Sequence, residues 1–365
     1  MLRLVIRETP TGLLPNDLCR SWMKAAVLRK IGYPLSIEEV ALPCLESGQV
    51  LVRMQLAGVC HTQKLEVSGS RGPDRFLPHL LGHEGVGVVD DIGPGVTKAV
   101  VGDQVVLSWI RGKGMAIAPV QYTSSQGAVN AGPIATFCEK AVVSEQCVTR
   151  VHPVVPPEDA VLAGCAIPTG AGTVWNAMPG GSQNTVGIIG AGGVGLSAVC
   201  GAIYAGWGRI IVIDLHDSRL TRALALGAGH IINAGTEDVE ETVLRITQGV
   251  GCDLVVECAG AVEAMEVAVR IAKPKGGKVV IAGNVEVGTK FSLDPFDLIK
   301  GRWVGGSWGG GITPEEDIPQ IVRLVETGKL NGHLLLGRRY PLDAVNEAIA
   351  SLSGEDPGRP VIAFA

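Results

Sequence analysis

The fold of this chain is decided by residues 186–214, which read VGIIGAGGVGLSAVCGAIYAGWGRIIVID. The apolar run 186–189 has the composition of a β-strand, and Gly190, Gly192 and Gly195 follow it at G-x-G-x-x-G spacing. In this pattern the first glycine permits a tight turn, the second lets a pyrophosphate approach the backbone, and the third lets the next helix pack on the strand. The free N–H groups at the start of that helix favour an anion.

A second predicted strand, residues 209–214, ends in an acid. Its last residue, Asp214, lies about twenty residues beyond Gly195, as expected of a carboxylate that accepts hydrogen bonds from an adenosine ribose. A 2′-phosphate at that place would meet a negative charge. The stretch therefore predicts a dinucleotide-binding domain that prefers NAD to NADP, with Gly193 and Val194 completing its loop.

This stretch has two other possible interpretations. Residues 186–208 carry no charge and are long enough for a membrane span with a small-residue packing face. A glycine-rich turn without a ligand is the other. The glycines, however, fall where a strand should become a helix, and a charged strand ending in an acid follows at once, which favours the dinucleotide site.

Composition limits the remaining choices. At 365 residues the chain is long enough for two domains, and its net charge of −5 without a Lys/Arg stripe argues against nucleic acid or an anionic membrane as partner. A small-molecule partner is expected instead. Nine dispersed cysteines without a C-x-x-C motif suit reduced cytoplasmic thiols better than a disulfide framework. Residues 1–22 contain no evident secretion signal and are expected to be an N-terminal extension.

The half of the chain before the glycine loop consists of short β-like runs separated by Gly and Pro, which predicts mostly antiparallel structure. Side chains with useful chemistry occur where two of these strands are expected to end. Cys60 and Thr62 stand at the first place, and His83 and Glu84 at the second. Another cysteine, Cys165, comes just before the dinucleotide-binding stretch.

Cys60, His83 and Cys165 form a suitable ligand set for catalytic zinc, because two thiolates and a neutral imidazole leave the fourth position open. Glu84 could fill that position in the resting state. Structural zinc usually employs closely spaced pairs, whereas dispersed ligands suit a site between domains. Each of these residues taken alone is equally consistent with core packing, since free cysteine is among the most buried residue types.

Five motifs occur in order along the chain: Gly58-Val-Cys60-His61-Thr62, Gly82-His83-Glu84-Gly85-x-Gly87, Gly102-Asp103-x-Val105, Gly164-Cys165 to Gly170, and the glycine loop. On these motifs the chain, from Met23 to its end, resembles the zinc-dependent medium-chain alcohol dehydrogenases. The resemblance implies an α/β chain with a GroES-like, partly open β-barrel catalytic domain (23–167 and 311–365) and a Rossmann domain with a doubly wound parallel sheet (168–310). It also implies one catalytic Zn²⁺ per chain, NAD, and a homo-oligomer, dimer or tetramer.

Individual roles follow from the resemblance, residue by residue. Thr62 matches a hydroxyl that hydrogen-bonds the alcohol, Thr169 matches a contact beside the nicotinamide, and Val194 would back the nicotinamide ring. His61 falls among the cofactor-binding positions. Trp109 matches an aromatic residue of the substrate pocket, although core packing would explain it as well.

Two arginines and three departures complete the comparison with the family. Arg219 matches a base near the adenosine ribose and Arg359 a pyrophosphate contact, though either could be an ordinary surface charge. Where many relatives carry four cysteines for a structural zinc, residues 110–132 have none. Gln63 stands where relatives often have an aspartate. By the resemblance, this position lies behind the imidazole of a zinc ligand, which is expected to be His83. Residue 65 is leucine where some relatives have a relay histidine.

The sequence thus predicts an NAD-dependent, zinc-containing alcohol dehydrogenase that moves a hydride between an alcohol carbon and the nicotinamide. Two alternatives remain open at this point. One is a zinc-free enone or quinone reductase of the same fold, which would have no reason to keep the Cys/His/Cys set. The other is a nucleotide-binding protein without catalysis. The identity of the alcohol does not follow from the fold.

Overall fold

The computed structural model describes residues 21–152, 154–356 and 358–365, so the predicted extension lies outside the described residues except for residues 21 and 22. Eighteen strands and ten α-helices are described in these ranges. The strands are β1 Trp22–Leu28, β2 Ser36–Ala41, β3 Gln49–Gly58, β4 His79–Leu80, β5 Glu84–Ile92, β6 Gln104–Ser108, β7 Val120–Ser124, β8 Gly127–Ala131, β9 Lys140–Ser144, β10 Val148–Arg150, β11 Thr185–Ile189, β12 Arg209–Asp214, β13 His230–Asn233, β14 Leu254–Glu257, β15 Lys278–Ile281, β16 Trp303–Gly306, β17 Leu336–Pro341 and β18 Arg359–Ala363. The helices are α1 His61–Ser68, α2 Pro157–Ala160, α3 Thr173–Ala177, α4 Gly193–Tyr204, α5 Asp217–Leu226, α6 Val239–Ile246, α7 Val262–Ile271, α8 Pro295–Ile299, α9 Pro314–Glu326 and α10 Val345–Ser351.

The first half of the chain forms the predicted GroES-like β structure. Five strands close in the order β1-β2-β7-β8-β4, and the closure depends on the two-residue strand β4, which pairs with β8 through His79 and Asn130 alone. A seven-stranded sheet has the order β10-β6-β5-β3-β18-β17, with β9 also paired to β3. Because β18 pairs antiparallel with β3, the C-terminal segment completes this sheet.

The second unit is a six-stranded sheet in the order β13-β12-β11-β14-β15-β16, with parallel pairing throughout. The strand predicted over 209–214 is confirmed. The strand order reverses between β11 and β14. In such sheets ligands bind at the carboxyl ends of the strands beside that point, which is where the glycine loop lies.

One hydrophobic core joins the two units. It contains Leu56 and Val86 of the GroES-like sheet together with Ile188 and Val212 of the parallel sheet, so the two parts pack without a separate linker between them. The domain boundaries at 167/168 and 310/311 stay predictions. Among the cysteines that the structure describes, seven are free thiols, but Cys44 is disulfide-bonded, so the expectation of reduced thiols is wrong for that residue.

Candidate active site

The three glycines of the loop have three different surroundings. Gly190 has φ +91°, and a Cβ there would lie 2.7 Å from the backbone nitrogen of Ala259. A Cβ on Gly195 would lie 1.7 Å from the carbonyl oxygen of Gly190, so this glycine lets α4 pack on β11. Gly192 has no atom within 4 Å of such a Cβ. No described atom of the protein excludes a side chain at 192, which agrees with a position where a ligand approaches the backbone.

A cavity of about 680 Å³ opens beside this loop and takes in most of the predicted cofactor-binding residues. Thr169 and Gly195 are not among the residues that line it. Burial, followed by the charge of Lys64, lowers the pKa of His61, so this imidazole is neutral at neutral pH. The predicted residues that line the cavity are His61, Gly190, Gly192, Gly193, Val194, Asp214, Arg219 and Arg359.

Asp214 stands at the end of β12 and lines the cavity. Its Oδ2 accepts from the N–H of Ala191 at 2.7 Å and its Oδ1 from the N–H of His216 at 3.0 Å. Each carboxylate oxygen has further lone pairs for a ligand hydroxyl. Arg219 lies 3.9 Å from Asp214 and donates to the carbonyl oxygen of Gly354 at 2.6 Å, so it is tied down beside the acid.

The candidate metal centre brings Cys60, His83 and Cys165 together. Cys60 precedes α1, His83 precedes β5, and Cys165 follows a short 3₁₀ helix that ends at Gly164. Their donor atoms all lie within 4.8 Å of one another, and the Cys165 sulfur is 3.4 Å from Nε2 of His83. Among the residues that the structure describes, no other cluster of three such groups could hold a metal ion.

The two thiols titrate as a pair. A hydrogen bond from Cys165 holds the pKa of Cys60 well below its usual range against the effect of burial, and the guanidinium of Arg359 lowers it further. The same hydrogen bond, together with burial, raises the pKa of Cys165 well above its usual range. One thiolate is therefore available to a cation, and a metal that binds both sulfurs releases the second proton.

Glu84 is not brought into this cluster. It is fully buried, its Oε1 accepts from the N–H of Ala166 at 2.8 Å, and its Oε2 accepts from Nε of Arg359 at 3.0 Å. Burial raises the pKa of Glu84, and the charge of Arg359 opposes that rise. Gly58 makes room for the pair, because a Cβ there would lie 2.0 Å from the carboxylate. A ligand role for Glu84 stays a prediction and would require it to leave both partners.

Gln63 lies directly behind the imidazole, so the predicted contact with His83 is present. The N–H of Cys60 donates to Oε1 of Gln63 at 2.8 Å, and Nε2 of Gln63 is 2.8 Å from Nδ1 of His83. A backbone N–H can only donate, and this fixes which end of the amide is oxygen. The amide therefore presents its N–H₂ group to His83.

Thr62 is buried beside the metal cluster and has a partner that the sequence did not indicate. Its Oγ1 is 3.5 Å from the Cys60 sulfur and accepts a hydrogen bond from Nδ2 of Asn284 at 3.1 Å. Asn284 follows β15 and also lines the cavity. A single asparagine after a strand carries no periodic signal, so sequence reasoning had nothing by which to find it.

Trp109 lies next to His83 of the metal cluster. The backbone N–H of Trp109 donates to the carbonyl oxygen of His83 at 3.1 Å, and the centroids of the two rings are 6.3 Å apart. Trp308, which sequence reasoning missed as a site residue, packs edge-on against Trp109 at 4.9 Å and is 79% exposed.

Thr169 lies on a π-helical turn, Pro168–Gly172, and its buried hydroxyl has no partner within the described part of the chain.

Comparison with known proteins agrees with this arrangement. Residues 46–153 match the family model of the alcohol dehydrogenase GroES-like domain, and residues 193–327 match that of the zinc-binding dehydrogenases. The chain is 32% identical to the S-(hydroxymethyl)glutathione dehydrogenase of Photobacterium damsela subsp. piscicida, over 93% of this chain and 99% of that protein. The chain belongs to the zinc-dependent medium-chain alcohol dehydrogenase family. It is therefore a zinc-dependent alcohol oxidoreductase.

Solved structures of the family share the whole fold. An alcohol dehydrogenase zinc-binding domain protein from Burkholderia ambifaria matches with a TM-score of 0.86 and 31% identity, over 94% of this chain and 99% of that one. The benzyl alcohol dehydrogenase of Acinetobacter calcoaceticus matches with a TM-score of 0.84 and 30% identity, over 94% and 100%. The predicted family and fold class are thereby confirmed. No helix among the described residues has the length and apolar character needed to cross a membrane.

Carboxylates hold the segment where many members of this alcohol dehydrogenase family carry the structural-zinc cysteines. Glu145 accepts from the N–H of Met115 at 2.7 Å and from that of Thr97 at 3.0 Å. Glu315 accepts from the N–H of Lys113 at 2.6 Å and from Nζ of Lys98 at 2.7 Å. Hydrogen bonds to two buried or half-buried acids thus fix a stretch that has no cysteine.

Proposed function

We propose that this chain is an NAD-dependent alcohol dehydrogenase with one catalytic zinc per chain, held by Cys60, His83 and Cys165. The observation that carries the proposal is the contact between the two sites. Cys60, a candidate metal ligand, also lines the cavity formed by the glycine loop. A substrate oxygen at the metal and a nicotinamide in that cavity would therefore be neighbours, as hydride transfer requires.

The donor set suits zinc and the proposed chemistry. Two thiolates and an imidazole leave a coordination position open for substrate, which is typical of catalytic rather than structural zinc. When bound, zinc acts as a Lewis acid on an oxygen ligand, as it does when it lowers the pKa of water from about 15.7 to about 7. The protein keeps the three ligands buried or half-buried, which limits competition from water.

Thr62 is the group we propose for the proton of the alcohol. It is buried, it is two residues from Cys60, and its hydroxyl can accept one proton while it passes on another. Leu65 cannot continue the transfer, so the proton would leave through the cofactor ribose or water. Glu84 is proposed as an exchangeable neighbour of the metal. In this structure it is paired with Arg359.

The cofactor is proposed to be NAD. Asp214 would accept hydrogen bonds from the ribose diol, and its charge would repel a 2′-phosphate. Arg219, fixed beside it, would lie along the ribose, and Arg359 and the loop from Gly190 to Gly195 would face the pyrophosphate. Val194 and Thr169 keep the roles that the family resemblance assigns to them beside the nicotinamide, and His61 stays among the cofactor-binding positions.

The substrate is proposed to be a small alcohol or its aldehyde or ketone, with Trp109 lining the pocket. The edge-on partner Trp308 extends the same aromatic wall, which suits an apolar or aromatic alcohol.

We also propose a homo-oligomer, dimer or tetramer, because β16 lies at the edge of its sheet with exposed Trp303 in it. We also propose a cytoplasmic location, because reducing conditions would keep the Cys60 and Cys165 thiols available as metal ligands.

The test combines metal analysis with turnover on the purified full-length protein. We expect one zinc per chain by atomic absorption, and NADH formation with at least some members of a panel of primary and aromatic alcohols. A metal-free protein that reduces enones or quinones would favour the zinc-free reductase instead. Nucleotide binding without turnover of any alcohol, aldehyde or ketone would favour a non-catalytic protein.

A further inference from the structure

The loop after β15 is docked onto the catalytic half of the protein, next to Thr62. The Nδ2 of Asn284 donates to Oγ1 of Thr62 at 3.1 Å. Ser70 Oγ donates to Glu286 Oε1 at 2.8 Å, and the N–H of Val287 donates to the carbonyl oxygen of Ser70 at 2.9 Å. Three hydrogen bonds therefore join this loop to α1 and the turn that follows it, and one of them ends on the proposed proton-transfer group.

The backbone of Asn284 is held in place by close packing on the parallel-sheet side. Gly260 has φ +69°, and a Cβ there would lie 2.2 Å from the carbonyl oxygen of Asn284. A Cβ on Gly283 would lie 2.3 Å from the N–H nitrogen of Gly260. Because backbone packs directly on backbone at these two glycines, the position from which the Asn284 side chain reaches Thr62 is well defined.

The hydrogen bond restricts what the Thr62 hydroxyl can do. A hydroxyl has one hydrogen and two acceptor lone pairs, and the amide N–H₂ group can only donate. Asn284 therefore occupies one lone pair of Oγ1, which leaves the second lone pair and the hydrogen for other partners. The Cys60 sulfur contacts Oγ1 at 3.5 Å, so one of these two remaining positions faces the metal cluster.

We propose that Asn284 is a positioning residue for proton transfer: it orients the Thr62 hydroxyl toward the substrate oxygen by donating to Oγ1. This inference rests on the proposed function, in which Thr62 takes the proton of the alcohol. The free lone pair of Oγ1 accepts that proton while the original hydrogen passes to water or the cofactor ribose, so Thr62 ends as a neutral hydroxyl. Asn284 gains or loses no proton in the exchange.

The experiment compares Asn284→Asp and Asn284→Ala with the unaltered protein. Aspartate has nearly the same shape but can only accept when ionised, so it would hold the Thr62 hydrogen and block its passage to water or the cofactor ribose. We expect both variants to lower kcat about 10- to 100-fold, the order of loss for a misaligned reacting group. KM for the alcohol and the zinc content should change less than about twofold, because Asn284 is not a proposed ligand of the metal and is assigned no role in holding the alcohol.

A matched control separates orientation of the hydroxyl from docking of the loop. Ser70→Ala removes the side-chain contact with Glu286 but leaves Asn284 and Thr62 intact, and we expect it to keep kcat within about twofold. The second control is a double-mutant cycle with Thr62→Ala. If Asn284 acts through Thr62, then Asn284→Ala should cost less than about twofold in the Thr62→Ala background.

The outcomes distinguish this inference from the proposed function. If Thr62→Ala lowers kcat while Asn284→Asp stays near the unaltered protein, the positioning role is wrong and the proposed function stands. A loss in Asn284→Ala that persists fully in the Thr62→Ala background also overturns the positioning role. If Thr62→Ala itself leaves kcat unchanged, both the proton-transfer step and the inference that rests on it are wrong.

Discussion

Gln63 provides the most demanding test of the metal site. Its amide presents a donor, the N–H₂ group, to His83, whereas an imidazole that binds zinc through Nε2 needs an acceptor at that place. Its oxygen is taken by the N–H of Cys60 at 2.8 Å, so its N–H₂ group faces Nδ1 of His83 at 2.8 Å. That arrangement makes Nδ1 the acceptor and leaves a ring proton to Nε2, the nitrogen that faces the Cys165 sulfur. A metal on Nε2 requires the proton on Nδ1, opposite another donor.

We predict that Gln63→Glu binds zinc about 10- to 100-fold more tightly, which is about 1.4 to 2.7 kcal/mol. Glutamate has the same length, so one carboxylate oxygen can keep the bond to the Cys60 N–H while the other accepts from Nδ1–H of His83. The range agrees with the cost of about 1 to 3 kcal/mol for one buried donor left without an acceptor, which is the fault that the change removes.

The same substitution should alter the pH dependence of alcohol oxidation. Zinc with two thiolates and a neutral imidazole carries no net charge, whereas a carboxylate behind the imidazole makes the group negative. Loss of the alcohol proton then becomes less favourable, so the rise of kcat with pH should move to higher pH.

Chelator competition measures the zinc affinity, and pH–rate profiles measure the second effect. Gln121→Glu, at an exposed position, controls for an added charge far from the metal. The reasoning is refuted if Gln63→Glu and Gln121→Glu have the same zinc affinity as the unaltered protein and superimposable pH–rate profiles.

Three further predictions use other parts of the molecule. Cys165→Ala should lose most of its zinc and at least about 100-fold of kcat, whereas Cys200→Ala, a buried free thiol elsewhere, should keep both; atomic absorption and alcohol turnover measure this, and full activity in Cys165→Ala would exclude it as a ligand. Asp214→Asn should reduce the preference for NAD over NADP in kcat/KM by at least about tenfold, the worth of a charged hydrogen bond, and a starting enzyme indifferent to the two cofactors would disprove the role of Asp214. Burial raises the pKa of Glu145, but the N–H groups of Thr97, Met115 and Lys98 together bring it below its ordinary value. Glu145→Gln should therefore lower the free energy of unfolding by about 1 to 3 kcal/mol at pH 7. Because the pKa is depressed in the folded protein, this deficit should be constant above the ordinary carboxyl pKa of about 4.3 and shrink as the pH falls through the folded value; denaturant unfolding at several pH values measures it, and a deficit that does not depend on pH would contradict the charge-based account.

Local patterns determined a large part of this protein. The apolar run, the spaced glycines and the acid at 214 predicted the strand, turn, helix and strand around the cofactor cavity, because these conformations depend on side chains that are near in sequence. The Cys/His/Cys set could be assembled from the sequence because thiols and an imidazole have a chemistry that few other roles require.

Tertiary structure decided which partners these groups have. Glu84 and Arg359, expected separately at the metal and the pyrophosphate, are 275 residues apart and pair with each other. Asn284 reaches Thr62 across 222 residues. Trp308 meets Trp109 only when the two units pack together. A single side chain at a loop or strand end leaves no periodic trace, and its partner is set by the packing of distant segments, so these contacts are decided by the fold as a whole.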